Sequence, residues 1–316
     1  MTLRRFRRAD GPIFEAMLRR NFPDEQRILE KNSEGVGRVV ARVFRWDARF
    51  VLALAAAVGR PVFSFFVIEE AGRPVATALV SYGSVSGYVS AVMVDEPYRG
   101  RGYARRLMEQ AVAATRRAHR AHVVLDVLEE NLPARSLYAS LGFTPIRAQS
   151  VYVRELTEAP PSPLPAPPSG VRPLRRSDGR PLFLLAQSTL PPAVAEAMPA
   201  HPRQFFLPPW VGRLFAEETE AWVAGPPGAP QGFLRATHDP TSRAGHLSAP
   251  LFGPKLEDAF LDRWMAFVVD WFAVRAVPRI VTEVPDHAPR AAETLRRAGF
   301  LPALQLRTLR REIAVS

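Results

Sequence analysis

The chain has 316 residues, of which 47% are hydrophobic and 23% are charged, and this balance excludes an intrinsically disordered protein. It contains no cysteine, which excludes disulfides, thiolate metal or iron–sulfur sites and a cysteine nucleophile. A net charge of +11 raises the question of an anionic partner, but the basic residues are almost all arginine and are spread along the chain, a pattern that favours codon bias over nucleic-acid binding.

The first half alternates between strand and helix patterns. The apolar periodicity predicts strand 3–7, helix 11–20, further helical pattern over 36–58, strands 63–68 and 75–82 joined by a turn at 70–73, strand 88–94, helix 103–118, strand 123–128, helix 133–140 and strand 150–156. This mixed order indicates an α/β (α+β) fold, in which a mostly antiparallel sheet is flanked by helices.

A proline-rich segment divides the chain nearly in half. Residues 157–170 read TEAPPSPLPAPPSG, and their six prolines exclude regular helix and sheet pairing. Such a segment acts as a semi-rigid spacer. We therefore expect a first domain over residues 1–156, a linker over 157–170 and a second domain over 171–316.

The two halves resemble each other, and the second half also predicts a helix around 256–275 and a strand at 279–284. Four short matches occur in the same order: Leu3-Arg4-Arg5 with Leu174-Arg175-Arg176, Val89-Ser90-Ala91 with Leu247-Ser248-Ala249, Leu141-Gly142-Phe143-Thr144-Pro145 with Ala298-Gly299-Phe300-Leu301-Pro302, and Arg154-Glu155-Leu156 with Arg311-Glu312-Ile313. Together they predict a duplicated domain.

A glycine-rich turn connects a strand to a helix in the first half. It reads Arg99-Gly100-Arg101-Gly102-Tyr103-Ala104 and follows the strand that carries Val92-Met93-Val94. Its glycines expose successive N–H groups at a helix N-terminus, which favours phosphate binding. It is not a Walker loop or a dinucleotide fingerprint, because no Gly-Lys-Ser/Thr follows and Arg105 stands where the third glycine belongs. A plain turn with solvated arginines is the alternative.

Two motifs in this half resemble those of a known superfamily. Arg99-x-x-Gly102-x-Ala104 after a hydrophobic strand resembles motif A of the GNAT N-acetyltransferases. Motif B is similar to Leu125-x-Val127-x-x-x-Asn131-x-x-Ala134-x-x-Leu137-Tyr138-x-x-Leu141-Gly142-Phe143. The two motifs cover about residues 88–145, and the predicted element order of residues 1–156 agrees with the GNAT fold.

The resemblance implies that acetyl-CoA is the co-substrate. The strand carrying Val92, Met93 and Val94 would splay from the next strand and pair with the pantetheine arm, while the turn would hold the pyrophosphate through Arg99, Gly100, Arg101, Gly102, Tyr103 and Ala104. Asn131 matches a position that contacts the cofactor. Tyr138 matches the general acid that protonates the departing CoA thiolate, and a core tyrosine is the alternative.

The general base stays open at this level. Five carboxylates end or follow predicted strands: Glu69, Glu70, Asp95, Glu96 and Asp126. Each is also explained as a solvated carboxylate, and a bound water often serves as the base in this superfamily. No metal site is expected, because the six histidines show no metal-ligand spacing; a site built from imidazole and carboxylate ligands alone stays open, but nothing in the sequence motivates it.

The second half departs from the motifs. Leu251-Phe252-Gly253-Pro254-Lys255-Leu256-Glu257 replaces the glycine-rich turn, and its proline removes an amide donor. Leu295 stands at the position of Tyr138, counted back from the shared Gly-Phe. We therefore expect a degenerate GNAT copy that has lost cofactor binding. Its Asp286-His287 is read as turn residues.

The sequence thus favours a cytoplasmic tandem-GNAT enzyme whose N-terminal domain transfers acetyl to a primary amine by direct attack, while the C-terminal domain is structural or shapes the acceptor cleft. We expect that cleft near residues 20–50 and 143–152, where arginines hint at an anionic acceptor: Arg20, Arg27, Arg38, Arg42 and Arg45.

The longest apolar run, 50–58, is too short to span a membrane. A non-catalytic acyl-CoA-binding or regulatory protein and a basic nucleic-acid-binding protein are the alternatives. The acceptor and the oligomeric state stay open.

Overall fold

The computed structural model describes residues 1–22, 62–157, 163, 165–201, 205, 218–238 and 244–314. These residues form two compact units. The first contains residues 1–22, 62–146 and 307–314, and the second contains the described residues from 147 to 306. Each unit has its own apolar core.

The first unit is an open sheet with helices on its faces. Its strands are β1 (Thr2–Arg5), β2 (Phe63–Glu70), β3 (Arg73–Tyr82), β4 (Ser86–Val94) and β5 (His122–Leu128). Its helices are α1 (Gly11–Asn21), α2 (Tyr103–Arg117) and α3 (Leu132–Ser140). The strands lie in the order β1-β2-β3-β4-β5, with antiparallel pairs up to β4 and a parallel pair between β4 and β5.

Helix α2 has the amphipathic pattern that its sequence indicates. The four residues predicted on its apolar face, Leu107, Met108, Ala111 and Val112, are all buried in the core of the first unit. On the opposite face of the sheet, α1 packs Phe14 and Met17 with Phe6 and Phe65. The sheet is thus covered on both faces, as an α/β layer structure requires.

The second unit repeats this plan. Its strands are residues 147–155 of β6 (Thr144–Glu155), β7 (Val171–Pro173), β8 (Glu218–Ala224), β9 (Gly232–His238), β10 (Ala244–Leu247), β11 (Leu251–Phe252) and β12 (Arg279–Pro285). Its helices are α4 (Gly179–Thr189), α5 (Pro192–Ala197), α6 (Asp258–Ala273) and α7 (Pro289–Arg297). Helix α6 fills the core with Trp264, Trp271 and Phe272, all 0% exposed.

The units exchange strands at the ends of the two halves. Residues 147–155 of β6 pair antiparallel with β12 inside the second unit. The last strand, β13 (Leu301–Glu312), contributes residues 307–312 to the first unit, where β5 is its neighbour. The end of the chain therefore belongs to the unit formed mainly by its beginning.

The repeat is visible in an ion-paired turn at the start of each unit. In the first, Arg4 donates to both oxygens of Asp10, at 2.7 and 2.8 Å, and the Arg7 N–H donates to the same carboxylate. In the second, Arg172 donates to both oxygens of Asp178, at 2.7 Å each, and the Arg175 N–H donates to it as well. Each turn leads directly into a helix.

This arrangement corrects one of the four sequence matches. Because Arg4 corresponds to Arg172, Leu3 corresponds to Val171 and not to Leu174. The run of similar letters in Leu174-Arg175-Arg176 misled the alignment, whereas the buried carboxylate of each turn fixes the true register.

The fold class and most predicted elements are confirmed. The sheet is mixed and mostly antiparallel, and the predicted strands and helices of the first half are found within a few residues of their expected ends. Strand β6 is the main exception, because it begins at Thr144 and not at 150. Pro145 discourages a strand assignment, yet a proline is tolerated near the start of a strand. The helical pattern at 36–58 and the arginines 27, 38, 42 and 45 lie outside the described residues.

Candidate active site

Strands β4 and β5 separate part-way along their length. Their parallel pairing joins Ser86–Val89 to His122–Leu125 and goes no further, although β4 continues to Val94 and β5 to Leu128. On its other edge β4 stays paired with β3 as far as Val94. In the described part of the chain, the edge of β4 that faces the gap therefore has no strand partner beyond Val89. Its backbone groups are available to a ligand.

A β-bulge at Ala91 changes the direction of this edge of β4. Ala91 has a φ of 51°, and the register between β3 and β4 shifts at this point. The Thr77 hydroxyl donates to the Ala91 carbonyl at 3.1 Å, so the displaced carbonyl is satisfied on the β3 side. Bulges of this kind commonly occur next to active sites, where they redirect a strand.

The glycine-rich turn follows β4 and ends at the start of α2. Gly100 and Gly102 have φ values of 75° and 77°, which glycine adopts without strain. An added Cβ at either glycine would meet nothing within 4 Å, so the turn needs glycine for its backbone conformation and not for space. The first hydrogen bond of α2 runs from the Arg106 N–H to the Gly102 carbonyl. The preceding N–H groups lie at the positive end of the helix and form an anion cradle.

The side chains of the turn have structural partners of their own. Arg99 donates to the Val94 carbonyl at 3.3 Å and to Asn21 Oδ1 at 3.0 Å. Arg101 pairs with Glu70 at 3.1 Å, and the buried Tyr103 donates its hydroxyl to the same carboxylate, which raises the pKa of Tyr103. The turn would therefore bind a ligand mainly through its backbone amides, and its arginines add positive charge nearby.

Tyr138 lies in α3 within the core of the first unit. Its side chain is 7% exposed and packs against Phe143, with ring centroids 5.9 Å apart. Burial raises the pKa of Tyr138 to about 12, because the phenolate would lose its hydration. The phenol therefore stays protonated over the whole physiological pH range, as a proton donor must.

Asn131 is the N-cap of α3. Its side-chain oxygen accepts a hydrogen bond from the Ala134 N–H at 3.2 Å. This cap fixes the orientation of the side chain at the point where β5 turns into α3. Cofactor contact by Asn131 stays a prediction, and a capping role accounts for the same residue.

The structure gives partners to four of the five carboxylates that the sequence left open. Three of them are committed to nearby arginines: Glu69 to Arg4 at 2.6 Å, Asp95 to Arg20 at 2.8 Å and Glu70 to Arg101. The Asp126 carboxylate accepts from two hydroxyls, those of Tyr88 at 2.8 Å and Thr308 at 2.5 Å. It is also the first residue of β5 after the last pair with β4, so it lies where the gap opens.

Sequence reasoning missed Tyr88 and Thr308 altogether. Tyr88 lies in a predicted strand, but nothing in the sequence marks its hydroxyl as the partner of Asp126. Thr308 carries no motif at all, and it reaches β5 only because the last strand joins the first unit. The separation of β4 from the strand carrying Leu125, in contrast, agrees with what the resemblance implied.

The second unit opens a similar gap without the same lining. Parallel pairing of β10 with β12 ends at His246 and Val281, while β12 continues to Pro285. In place of a glycine turn, the Gly253 N–H donates to the Gln231 carbonyl at 2.6 Å. The Arg290 guanidinium donates to the Gly253 and Leu256 carbonyls and pairs with Asp258 at the start of α6. The start of this helix is therefore occupied by the unit's own side chains.

A cavity of about 620 Å³ lies within the second unit at this gap. Polar lining residues include Gln149, Arg235, His246, Thr282 and Glu283, while Leu295, at the position of Tyr138, is fully buried in the core. His287 lines the cavity next to Asp286, and burial lowers the pKa of His287. The described residues that line this cavity include no tyrosine, and Arg290 and Asp258 pair at the start of α6.

Comparisons with known proteins show what this chain is similar to. Residues 26–143 match the Acetyltransferase (GNAT) family. Two curated relatives are an N-alpha-acetyltransferase MAK3 of Arabidopsis thaliana, 34% identical over 91 residues, and N-alpha-acetyltransferase 30 of Saccharomyces cerevisiae, 35% identical over 72 residues. These matches cover 28% and 23% of this chain and 47% and 40% of the relatives, so the chain spans less than half the length of either.

Solved structures extend the likeness in fold beyond that segment. A GCN5-related N-acetyltransferase from Sphaerobacter thermophilus superposes with a TM-score of 0.62 at 17% identity, covering 98% of this chain and 95% of that one. A tandem GNAT protein from the clavulanic acid biosynthesis pathway superposes with a TM-score of 0.55 at 17% identity, covering 79% and 82%. Residues 26–143 are thus similar to the GNAT family, and the fold of the chain is similar to that of solved GNAT proteins.

Two features are absent from the described residues. None of the helices in the described ranges is long and apolar enough to cross a membrane. No group of three or more histidines and carboxylates in those ranges is arranged to hold a metal ion.

Proposed function

We propose that the first unit is an acetyl-CoA-dependent N-acetyltransferase that acts on a primary amine. The observation that carries this proposal is the edge of β4 beyond Val89, which has no strand partner in the described part of the chain. The glycine-rich turn follows one end of this edge, and Asp126 of β5 lies at the other end, where the two strands separate. The edge joins an anion cradle at one end to a proton acceptor at the other. Tyr138, held protonated by burial, supplies the remaining group that the chemistry needs.

The binding mode follows from the backbone of the first unit. The amides of the turn from Gly100 to Ala104 would hold the pyrophosphate of acetyl-CoA. Residues 90–94 span about 13 Å at the usual rise of a strand, and their free backbone groups would pair with the pantetheine arm. The side chain of Met93 is buried against α1, so Val92, Met93 and Val94 would contribute backbone contacts.

The reaction needs no enzyme nucleophile. The amine nitrogen attacks the thioester carbonyl carbon, a C–N bond forms and the C–S bond breaks. Tyr138 gives its proton to the departing CoA thiolate, and Asp126, directly or through a water, takes the proton that the amine loses. Backbone amides near the Ala91 bulge would polarise the carbonyl, and positioning supplies much of the rate.

The second unit would be a degenerate copy with a structural or acceptor-shaping role. Its helix start is occupied by Arg290 and Asp258, and it has leucine in place of the phenol. We keep the division into a GNAT domain over 1–156, a linker over 157–170 and a degenerate domain over 171–316 as part of this proposal. The two compact units differ from this division at two strands, because residues 147–155 belong to the second unit and residues 307–312 to the first.

We further propose the α-amino group of a peptide as the first acceptor class to test. The support is that the two curated relatives are both N-alpha-acetyltransferases. Other primary amines, including polyamines, amino acids, antibiotics and lysine side chains, form the comparison set in the same assay.

Calorimetric titration with acetyl-CoA, followed by a mass-spectrometric assay of peptide acetylation, tests the proposal. Wild type should bind one acetyl-CoA per chain, and the variant Gly100→Pro/Gly102→Pro should not bind, because proline cannot adopt the positive φ of this turn. The matched control is Pro254→Gly in the corresponding turn of the second unit, which should leave the stoichiometry at one.

The other outcomes are equally informative. Two binding sites per chain would contradict the degenerate second unit. Binding with no acetylation of any amine class would favour a non-catalytic acyl-CoA-binding protein. No binding at all would overturn the enzyme proposal.

A further inference from the structure

The C-terminal end of the chain forms part of the first unit's core. The Ile313 N–H donates to the Ala121 carbonyl at 2.8 Å, just before β5 begins. Leu309 and Ile313 are 6% and 5% exposed and belong to the same apolar cluster as Leu125 and Val127 of β5. The edge of β5 is thus completed by residues from the opposite end of the sequence.

Thr308 brings a hydroxyl to the carboxylate at the opening of the gap. The residue is 0% exposed, and its hydroxyl donates to Asp126 Oδ1 at 2.5 Å while the Tyr88 hydroxyl donates to Oδ2 at 2.8 Å. Because a hydroxyl donates to each oxygen, the carboxylate is held in one orientation.

The neighbouring residue fixes the loop that follows β5. Arg307 donates to Glu129, which also pairs with Arg135 at 2.9 Å. The hydrogen bond from Arg307 lowers the pKa of Glu129, so the pair stays charged at neutral pH. This loop leads to Asn131 at the start of α3, the helix that carries Tyr138.

The second unit shows that the fold does not require a hydroxyl at this place. There β6 takes the part of β13, and its Val151 lies opposite Glu283 of β12. Glu283 lies four residues after Arg279, where the parallel pairing of β12 begins, just as Asp126 lies four residues after His122, where the parallel pairing of β5 begins. A valine is sufficient for the sheet, so the threonine in the first unit needs another reason.

We propose that the last strand completes the transfer site of the first unit, and that Thr308 is a positioning residue that orients Asp126 to take the proton of the amine. The inference rests on the proposed function, since Asp126 acts only if the first unit acetylates an amine. The active site would then depend on the final residues of the chain, beyond the degenerate copy, although all its recognised motifs lie between residues 88 and 145.

The experiment compares Thr308→Val and Thr308→Ser in the full-length protein. Valine keeps the shape and removes the donor, whereas serine keeps the donor. With acetyl-CoA and a short peptide bearing a free α-amino group as probes, Thr308→Val should lower kcat about tenfold. The acetyl-CoA affinity measured by calorimetry should stay unchanged, and Thr308→Ser should restore most of kcat. Thr282→Val is the matched control, because Thr282 is buried in the second unit and its hydroxyl has no partner in the described part of the chain.

A double-mutant cycle protects the test against a general loss of structure. Asp126→Asn should lower kcat at least as much as Thr308→Val, and adding Thr308→Val to Asp126→Asn should cause little further loss, because both act through one carboxylate. The inference would be overturned by additive losses in the double mutant, by an unchanged kcat in Thr308→Val, or by a Thr308→Ser variant that does not restore kcat. In each of these cases, turnover by wild type would still support the proposed function. If wild type binds acetyl-CoA but acetylates no amine in the comparison set, the proposed function and this inference both fail.

Discussion

The two units begin with the same ion-paired turn and open the same kind of gap between parallel strands, yet they differ in what lines the gap. In the first unit, glycines at positive φ present amides at a helix start, and a phenol lies in the following helix. In the second, an arginine and an aspartate occupy the helix start, and a leucine replaces the phenol. The two units thus share a scaffold although these groups differ, because packing and turn formation do not depend on them.

Removing the phenol should have the largest effect on this comparison. Tyr138→Phe deletes the proposed proton donor while keeping the ring against Phe143, so we expect kcat to fall by about a hundredfold or more. Tyr152→Phe is the matched control in the second unit, where the lost hydroxyl accepts from Arg296 and has no part in the reaction. Steady-state kinetics with acetyl-CoA and a peptide amine would decide, and equal loss in both variants would contradict a special role for Tyr138.

The ion-paired turn allows a stability comparison. The Arg172 hydrogen bond lowers the pKa of Asp178 below its ordinary 3.8, so the stabilisation is present above that value and is lost as pH falls through the folded pKa. Asp178→Asn should lower the free energy of unfolding of the second unit by about 2 kcal/mol near pH 7 and by less near pH 2.5.

Tryptophan fluorescence during urea unfolding checks this prediction, because Trp222, Trp264 and Trp271 are all buried in the second unit. Asp10→Asn is the corresponding change in the first unit. Burial tends to raise the pKa of Asp10, and hydrogen bonds from Arg4 and the Arg7 N–H overcome that effect. A pH-independent loss in Asp178→Asn would show that the charge of the pair contributes nothing.

A milder change in the turn should affect cofactor affinity alone. Gly102→Ala leaves room for the new methyl group but strains the backbone at a φ of 77°, so we expect acetyl-CoA to bind about tenfold more weakly. Gly228→Ala in the second unit introduces the same strain at a φ of 80°, also without a clash, and should leave the affinity unchanged. Calorimetry distinguishes these results, and equal affinity in all three proteins would remove the turn from the binding site.

The smallest effect is expected from the arginines of the turn. Arg101 is half-exposed and already paired with Glu70, so Arg101→Gln should weaken acetyl-CoA binding only about threefold. The difference should shrink further in high salt, because screening weakens exposed charges. A loss as large as that in Gly102→Ala would mean that this side chain, and not the backbone amides, dominates binding.

Periodicity and turn signals predicted the first unit well because its elements are short and regularly patterned. The hairpin of β2 and β3 and the amphipathic helix α2 are local features, and local residues determine them. The duplication was also readable, although one of its four matches was placed in the wrong register. The buried carboxylates Asp10 and Asp178 mark the correct register, and their burial could not be predicted from the sequence.

The candidate site was predicted only in part. Motif residues indicated the turn and Tyr138. The contact between Thr308 and Asp126 was not predictable, because nothing in the sequence shows which of the two units the last strand joins. Nor did the sequence show that Arg101 and Tyr103 would both turn to Glu70. These contacts depend on residues far apart in the chain, for which no local pattern exists.

The exchange of final strands has a consequence for synthesis on the ribosome. At translation rates of roughly 5–20 residues per second, the residues between the end of β5 and β13 take on the order of ten seconds or more to emerge. Until then the nascent first unit carries an open β5 edge, a surface that invites pairing with other chains. A ribosome-arrested chain that stops before residue 307 should therefore be more sensitive to protease than the full chain. Equal protection of both chains would show that the first unit matures without its last strand.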